Sequence, residues 1–174
     1  DFLDEVTARA LERVTEQWPD LPEAERGEIA RIIGIGAVRF TILSVKPGRN
    51  VIFDWDTALS FTGDSGPYIQ YSCTRIASIL RKYDGSAAVD DIPAPPGPVC
   101  ISDDAEWSLL TRLARLELDI QTALDQANLA LLATTALDIA RRFSAFYNAC
   151  PVLNAGSEEV KQSRIAICMA VRQA

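Results

Sequence analysis

The sequence predicts an all-α protein, a helical bundle preceded by a helical connector. Three observations carry this. Apolar residues recur three and four apart along most of the chain, the spacing that gathers them on one face of a helix. Ser or Asp precedes several of these runs and Pro or Gly follows several, which are the start and stop signals of helices. Extended structure is confined to at most a few residues near 51–53.

In chain order, Leu3, Val6, Ala10, Leu11, Val14 and Trp18 form an amphipathic stripe, with Pro19 just beyond, so a helix is expected over 3–18. A second helix is expected over 22–44. Its centre, Ile32-Ile33-Gly34-Ile35-Gly36-Ala37-Val38, is apolar all round and should be buried. Glycine inside a helix costs about 1 kcal/mol relative to Ala, so Gly34 and Gly36 should mark a close approach by another element. A phosphate loop would need a preceding strand and a third glycine, and neither is present. Lys46-Pro47-Gly48-Arg49-Asn50 is a turn, and Asp54 is placed to cap a short helix over 55–59. Asp54 and Asp56 lack a third ligand and read as capping and surface residues, not a metal site.

The loop Gly63-Asp64-Ser65-Gly66 leads into a helix with Pro67 at its first position, where a missing N–H costs nothing. Ile69, Cys73, Ile76, Leu80 and Tyr83 fall on one stripe, the expected buried face. Tyr68, Tyr71, Arg75, Ser78 and Lys82 fall on another, about 140° away at 100° per residue. A row of two phenols, two cations and a hydroxyl suits an unstacked RNA loop, because bases lie on rings while Arg and Lys meet phosphate. The competing reading is an ordinary solvated face with tyrosines covering a neighbour.

After Tyr83 the composition shifts: Pro93, Pro95, Pro96 and Pro98 mark an extended surface loop at about 84–102. Ser102 or Asp103 then caps a helix, with Glu106 completing a capping box with Asp103. Trp107, Leu110, Leu113, Ala114, Leu116 and Leu118 are its expected core face, with a break near Leu116. Asn128 is the expected cap of the next helix, whose buried stripe is Leu129, Leu132, Ala136, Ile139, Ala140, Phe143 and Tyr147. Phe143, Phe146 and Tyr147 read as core, and Arg141 and Arg142 as additions to a basic surface. Ser157 should cap the last helix, which carries Val160, Arg164, Ile165, Cys168, Met169 and Val171.

Composition narrows the function. No apolar run approaches the ~20 residues of a membrane span. The chain has no His, which removes Ser-His and Cys-His nucleophile pairs, and no convergent carboxylate pair replaces them. Cys73, Cys100, Cys150 and Cys168 form no Cys-x-x-Cys, so neither zinc nor a disulfide framework is expected. The net charge of −7 argues against nucleic acid at first sight. However, residues 1–30 hold nine acids and three bases, and 84–106 hold six acids and no base. The remainder has nine acids against fourteen bases, which leaves room for a local basic patch.

Gly63-x-x-x-Pro67-Tyr68-x-Gln70-Tyr71 with Arg75, downstream of Phe53-Asp54-Trp55-Asp56, resembles the arginyl-tRNA synthetases. The resemblance extends from Ile29-Ala30-x-x-x-Gly34-Ile35-Gly36-Ala37-Val38 through Phe146-Tyr147 and Cys150-Pro151-Val152-Leu153 to Arg164. It implies a connector over 1–65 and a DALR-type anticodon-binding bundle over 66–174. In that family the Tyr-Tyr-Arg helix faces the anticodon loop, which implies a tRNA contact by Tyr68, Tyr71, Arg75, Ser78 and Lys82. Ser72-Cys73 stands where relatives often carry Ala-His. The resemblance further implies a cytoplasmic class I ligase that charges tRNA with arginine using ATP and Mg. Its His-Ile-Gly-His and Lys-Met-Ser-Lys-Ser type signatures would lie upstream of Asp1, so no catalytic residue, cofactor or metal is expected in this chain. Its C-terminal Leu/Gly-rich segment is missing after Ala174. Arginine tRNAs are the expected partner, and the chain is expected to be monomeric. The alternatives are a helical protein–protein interaction module, the anticodon bundle of another class I synthetase and, more remotely, a small helical enzyme.

Overall fold

The computed structural model describes residues 1–85, 95, 97 and 100–174, so the Pro-rich loop expected near 84–102 falls largely outside the described residues. Those residues form eight helices and no strand: α1 (Phe2–Gln17), α2 (Glu23–Leu43), α3 (Trp55–Ala58), α4 (Gly66–Asp84), α5 (Asp104–Leu113), α6 (Leu116–Asp125), α7 (Leu129–Ala149) and α8 (Glu158–Gln173). Residues 51–53 are not a strand, and Ile52 is exposed. Without a partner edge, three extended residues have no ladder to join. No described helix is long and apolar enough to cross a membrane.

Buried side chains gather in two clusters. The first joins α1 to α2 through Val6, Ala10, Val14, Ala30, Ile33 and Ala37, with Leu59 beside them. Its small residues let the two helices lie close. A Cβ on Gly34 would come within 2.9 Å of the Val6 Cγ1, which explains the first mid-helix glycine. The second cluster joins α4, α5, α7 and α8 around Ile76, Leu80, Leu109, Phe143, Phe146, Ile165, Ile167 and Cys168. α7 is its centre, packing against α4, α5 and α6 and touching α2.

The caps place the helix starts. Asp54 accepts from the Thr57 amide at 2.9 Å, Asp103 from the Ala105 amide at 2.8 Å, and Ser157 from the Val160 amide at 3.3 Å. Asn128 precedes α7 but makes no capping hydrogen bond. The expected break near Leu116 is present between α5 and α6.

Several faces differ from expectation. Trp107 is 59% and Leu118 61% exposed, while Leu109 and Glu106 are fully buried. Glu106 turns inward because its carboxylate accepts from the amides of Ser102 and Asp103 at 2.6 and 3.0 Å, and that sets the rotation of α5. The chain then turns at Ala114 and Arg115, so a wheel drawn through the break misplaces Leu118. Leu3 and Leu129 are also exposed. Cys73 is exposed because α4, α6, α7 and α8 leave an open apolar groove of about 400 Å³ beside Ile69, Cys73 and Ile76. Ser72 and Ile79 are buried instead, so the buried face of α4 is rotated from the predicted stripe.

Candidate nucleic-acid interface

The aim of α4 is fixed at its first turn. Ser65 is the N-cap, accepting from the Tyr68 amide at 3.1 Å and donating to the Ser60 carbonyl. Gly66 and Pro67 follow as the first two helical residues. A Cβ on Gly66 would fall 2.8 Å from the Gly36 carbonyl oxygen and 2.9 Å from the Phe40 Cβ, so only glycine allows this approach to α2. One turn on, the Gln70 carboxamide lies over Gly36 and donates to the Ile32 carbonyl at 3.3 Å. The close approach expected at Gly36 is therefore made by α4 itself. At the other end Gly85 adopts φ 76°, and its amide donates to the Arg81 carbonyl at 2.8 Å, closing the helix with a left-handed C-cap.

With α4 held this way, its second stripe faces outward. Tyr68, Tyr71, Arg75 and Ser78 are half-buried and Lys82 is exposed. Arg75 is the centre of the arrangement. Its guanidinium carbon lies 4.8 Å from the centre of the Tyr71 ring and 4.6 Å from that of Tyr147, and Nη2 donates to the Tyr71 hydroxyl at 3.2 Å. Two phenol rings attract the cation and restrain it, which leaves further guanidinium N–H groups for an acceptor outside the protein. Neither Arg75 nor Lys82 has a carboxylate partner among the described residues.

Below Arg75 a cleft of about 450 Å³ opens between α4 and the end of α7. It is lined by Arg75, Ser78 and Lys82 on one side and by Tyr147, Asn148 and residues 151–154 on the other. Tyr71 borders a different space, an apolar cleft of about 570 Å³ with Trp18, Ile33 and Phe61, and Tyr68 borders neither. The structure thus brings Arg75, Ser78 and Lys82 to one cleft and keeps Tyr71 at its upper edge through the Arg75 stack.

Tyr147 of the cleft also departs from the expected core stripe. It falls one turn after Phe143 and was assigned to the core, yet it is 39% exposed while Phe146 is fully buried. Its polar hydroxyl was the available signal, since a phenol at a helix end commonly keeps its tip in water. Arg141 pairs with Asp64, and Arg142 bonds Asp138 at 3.2 Å and the Ser108 hydroxyl at 2.6 Å. Both are engaged within the protein and do not extend the cationic surface as expected.

The cleft wall at 151–154 is tied from behind. Arg164 Nε donates to Glu106 Oε1 at 2.6 Å and Nη1 to the Pro151 carbonyl at 2.9 Å. Burial by itself would raise the Glu106 carboxyl. The hydrogen bonds from the Ser102 amide and from Arg164 overcome it and hold the group below its ordinary 4.5.

Comparison with known proteins agrees with this geometry. The model of the DALR anticodon binding domain matches residues 69–174. An arginine–tRNA ligase of Photorhabdus laumondii is 38% identical over 169 residues, covering 97% of this chain and 28% of that protein. One of Escherichia coli is 38% identical over 167 residues, with 96% and 28% covered. The arginyl-tRNA synthetase of Thermus thermophilus superposes with a TM-score of 0.83 at 31% identity, over 99% of this chain and 29% of that one. That of Plasmodium falciparum shares the fold at a TM-score of 0.74 and 22% identity, over 98% and 30%. The chain spans little more than a quarter of the length of the curated relatives it matches. With most of its length matched by that domain and its α4 cleft built as described, the chain belongs to the DALR anticodon binding domain family.

Proposed function

We propose that this chain is the anticodon-binding part of an arginine–tRNA ligase, with residues 1–65 as connector and 66–174 as the binding bundle. Tyr68, Tyr71, Arg75, Ser78 and Lys82 meet the anticodon loop of an arginine tRNA. The observation that carries the reading is Arg75, whose guanidinium lies against the rings of both Tyr71 and Tyr147 and has no carboxylate partner among the described residues. Splayed bases stack on phenol faces, the ordered guanidinium meets a base edge or phosphate, and Lys82 neutralises backbone charge farther along the helix. The 450 Å³ cleft beside Ser78 is large enough to take a flipped-out base.

The parent enzyme, a cytoplasmic monomer in this reading, would join arginine to tRNA at the expense of ATP with Mg. Among the described residues no three Cys, Asp or Glu side chains converge as a metal cage would require. The task of this chain is positional. Holding the anticodon end fixes where the distant acceptor end lies, which converts binding free energy into alignment at the reacting centre.

A titration of the 174-residue protein with an arginine-tRNA anticodon stem-loop, beside a stem-loop of unrelated anticodon at equal low salt, tests this. Tighter binding of the arginine loop is expected. Equal affinity for both loops would reduce the face to a basic patch, and no binding to either would point to a protein partner.

A further inference from the structure

Glu106 and Arg164 lie outside the proposed contact face, yet they bond to its wall. Glu106 is fully buried and Arg164 nearly so. Both Glu106 oxygens are engaged: Oε1 by Arg164 Nε at 2.6 Å, and Oε2 by the amides of Ser102 at 2.6 Å and Asp103 at 3.0 Å. Arg164 in turn reaches the Pro151 carbonyl at 2.9 Å with Nη1 and the Ser102 hydroxyl at 3.3 Å with Nη2. One guanidinium on α8 therefore joins the cap of α5 to the chain leaving α7. Pro151, Val152, Leu153 and Asn154 all line the cleft, and Val152 is buried into the bundle core as well.

A buried ion pair is weak evidence for stability, because well-packed apolar residues often replace one without loss. Its fixed, forked geometry is better suited to specifying where a segment lies. A backbone carbonyl at a helix end has few other partners, and without Arg164 that of Pro151 would lose the bond that sets the start of the 151–154 wall.

We infer that Glu106 and Arg164 are positioning residues for tRNA binding, holding the 151–154 wall of the cleft at the distance from Arg75 that an anticodon base requires. The inference rests on the anticodon-binding reading. Arg164→Lys is the informative variant. A lysine keeps the charge beside Glu106 but cannot reach Pro151 and Ser102 at once.

The test compares the 174-residue protein with Arg164→Lys, Arg112→Lys and Arg75→Ala. The readouts are stem-loop affinity, cooperative melting and amide exchange at residues 152–154. Arg112 pairs with Asp119 and Asp138 at 2.6 and 2.7 Å on the α5–α6–α7 side and borders no part of this cleft, so it controls for a merely structural loss. The expected result is a folded Arg164→Lys protein that binds the arginine stem-loop roughly tenfold more weakly, the scale of one lost interaction. Exchange at 152–154 should be faster, while Arg112→Lys binds as the unsubstituted protein does. A folded Arg164→Lys protein with unchanged affinity, while Arg75→Ala weakens binding, overturns the inference alone. If Arg75→Ala also leaves binding unchanged, the anticodon reading fails first. Should Arg164→Lys not fold, Glu106→Gln takes its place with the same expectations. Failure of both to fold makes the pair a requirement of the fold and overturns its positioning role.

Discussion

Residues 1–65, the proposed connector, and residues 66–174, the proposed bundle, each place an arginine against an aromatic ring, and the two arrangements have opposite electrostatic surroundings. In the connector, Arg9 lies 4.5 Å from the Trp55 ring centre but also pairs with Glu5 at 2.9 Å. Its charge is met within its own helix, and Trp55 also meets Phe2 at a tilt and Phe53 edge to face, so the arrangement closes the α1–α3 corner. In the bundle, Arg75 lies between two tyrosines at the rim of a cleft, with no carboxylate partner among the described residues. The same contact serves packing in one region and leaves a cation available to an outside acceptor in the other. The interiors differ likewise. The connector core is built from Val, Ala, Ile and Leu with its ion pairs exposed, whereas the bundle core has two phenylalanines and a buried Glu–Arg pair.

Phe143→Ala should sharpen that contrast most, costing about 3–5 kcal/mol because it empties the centre of the bundle. In the connector the sensitive position is a glycine. Gly34→Val should cost about 1–3 kcal/mol by overpacking, since even its Cβ would press on Val6. Urea titrations of the two variants measure both, and a larger loss at Gly34 would reverse the ranking of the two cores.

For binding, Tyr71→Ala should weaken the arginine stem-loop by about 1–3 kcal/mol, the size of a lost base stack. Arg75→Ala should weaken it too and reduce the slope of log affinity against log salt by about 0.7, one phosphate contact to a single strand. Arg9→Ala should change neither quantity. Equal effects from Arg9 and Arg75 would erase the distinction between the two arginines.

A smaller effect separates the regions by pH. Because the native Glu106 carboxyl is held below 4.5, its contribution is complete above the ordinary carboxylate range and is lost as pH falls through the lowered native value. Acid titration of bundle stability should show this loss, and Glu106→Gln should remove that part of the dependence. Least of all should change on thiol labelling. Burial raises the Cys73 thiol as well, but pushes Cys150 up to about 11 and Cys168 up to about 12, so at pH 8 an alkylating reagent should label the exposed Cys73 before either. Early labelling of Cys168 would mean that the bundle core opens readily.

What was legible in the sequence was local. Helix periodicity located the helices, with α5 and α6 separated by the expected break. Asp54, Asp103 with Glu106, and Ser157 showed their capping role through spacing alone. Gly34 and Gly36 announced close approaches because a helix interior penalises glycine unless something needs the space. The identity of the approaching elements, α1 at Gly34 and α4 at Gly36, was not legible, since it depends on how helices cross. The same reason hid Tyr147. Its position on the wheel is one turn from Phe143, yet across the cleft it meets Arg75 of α4, a contact that no local pattern encodes. Cys73 and Ile69 were assigned to the core on sound periodicity, yet the helices opposite them stand off and leave a groove. Arg164 was visible only as a residue on the last helix; its fork to Glu106 and Pro151 joins positions far apart in sequence.

The most direct test of the account maps where the RNA lies. Amide and side-chain chemical shifts of the 174-residue protein would be followed during titration with the arginine-tRNA anticodon stem-loop. The largest changes are expected at Tyr68, Tyr71, Arg75, Ser78, Lys82 and Tyr147, with Arg9 and Trp55 unmoved. Changes centred on the α1–α3 corner or the groove beside Cys73, with the Arg75 cleft unaffected, would contradict it.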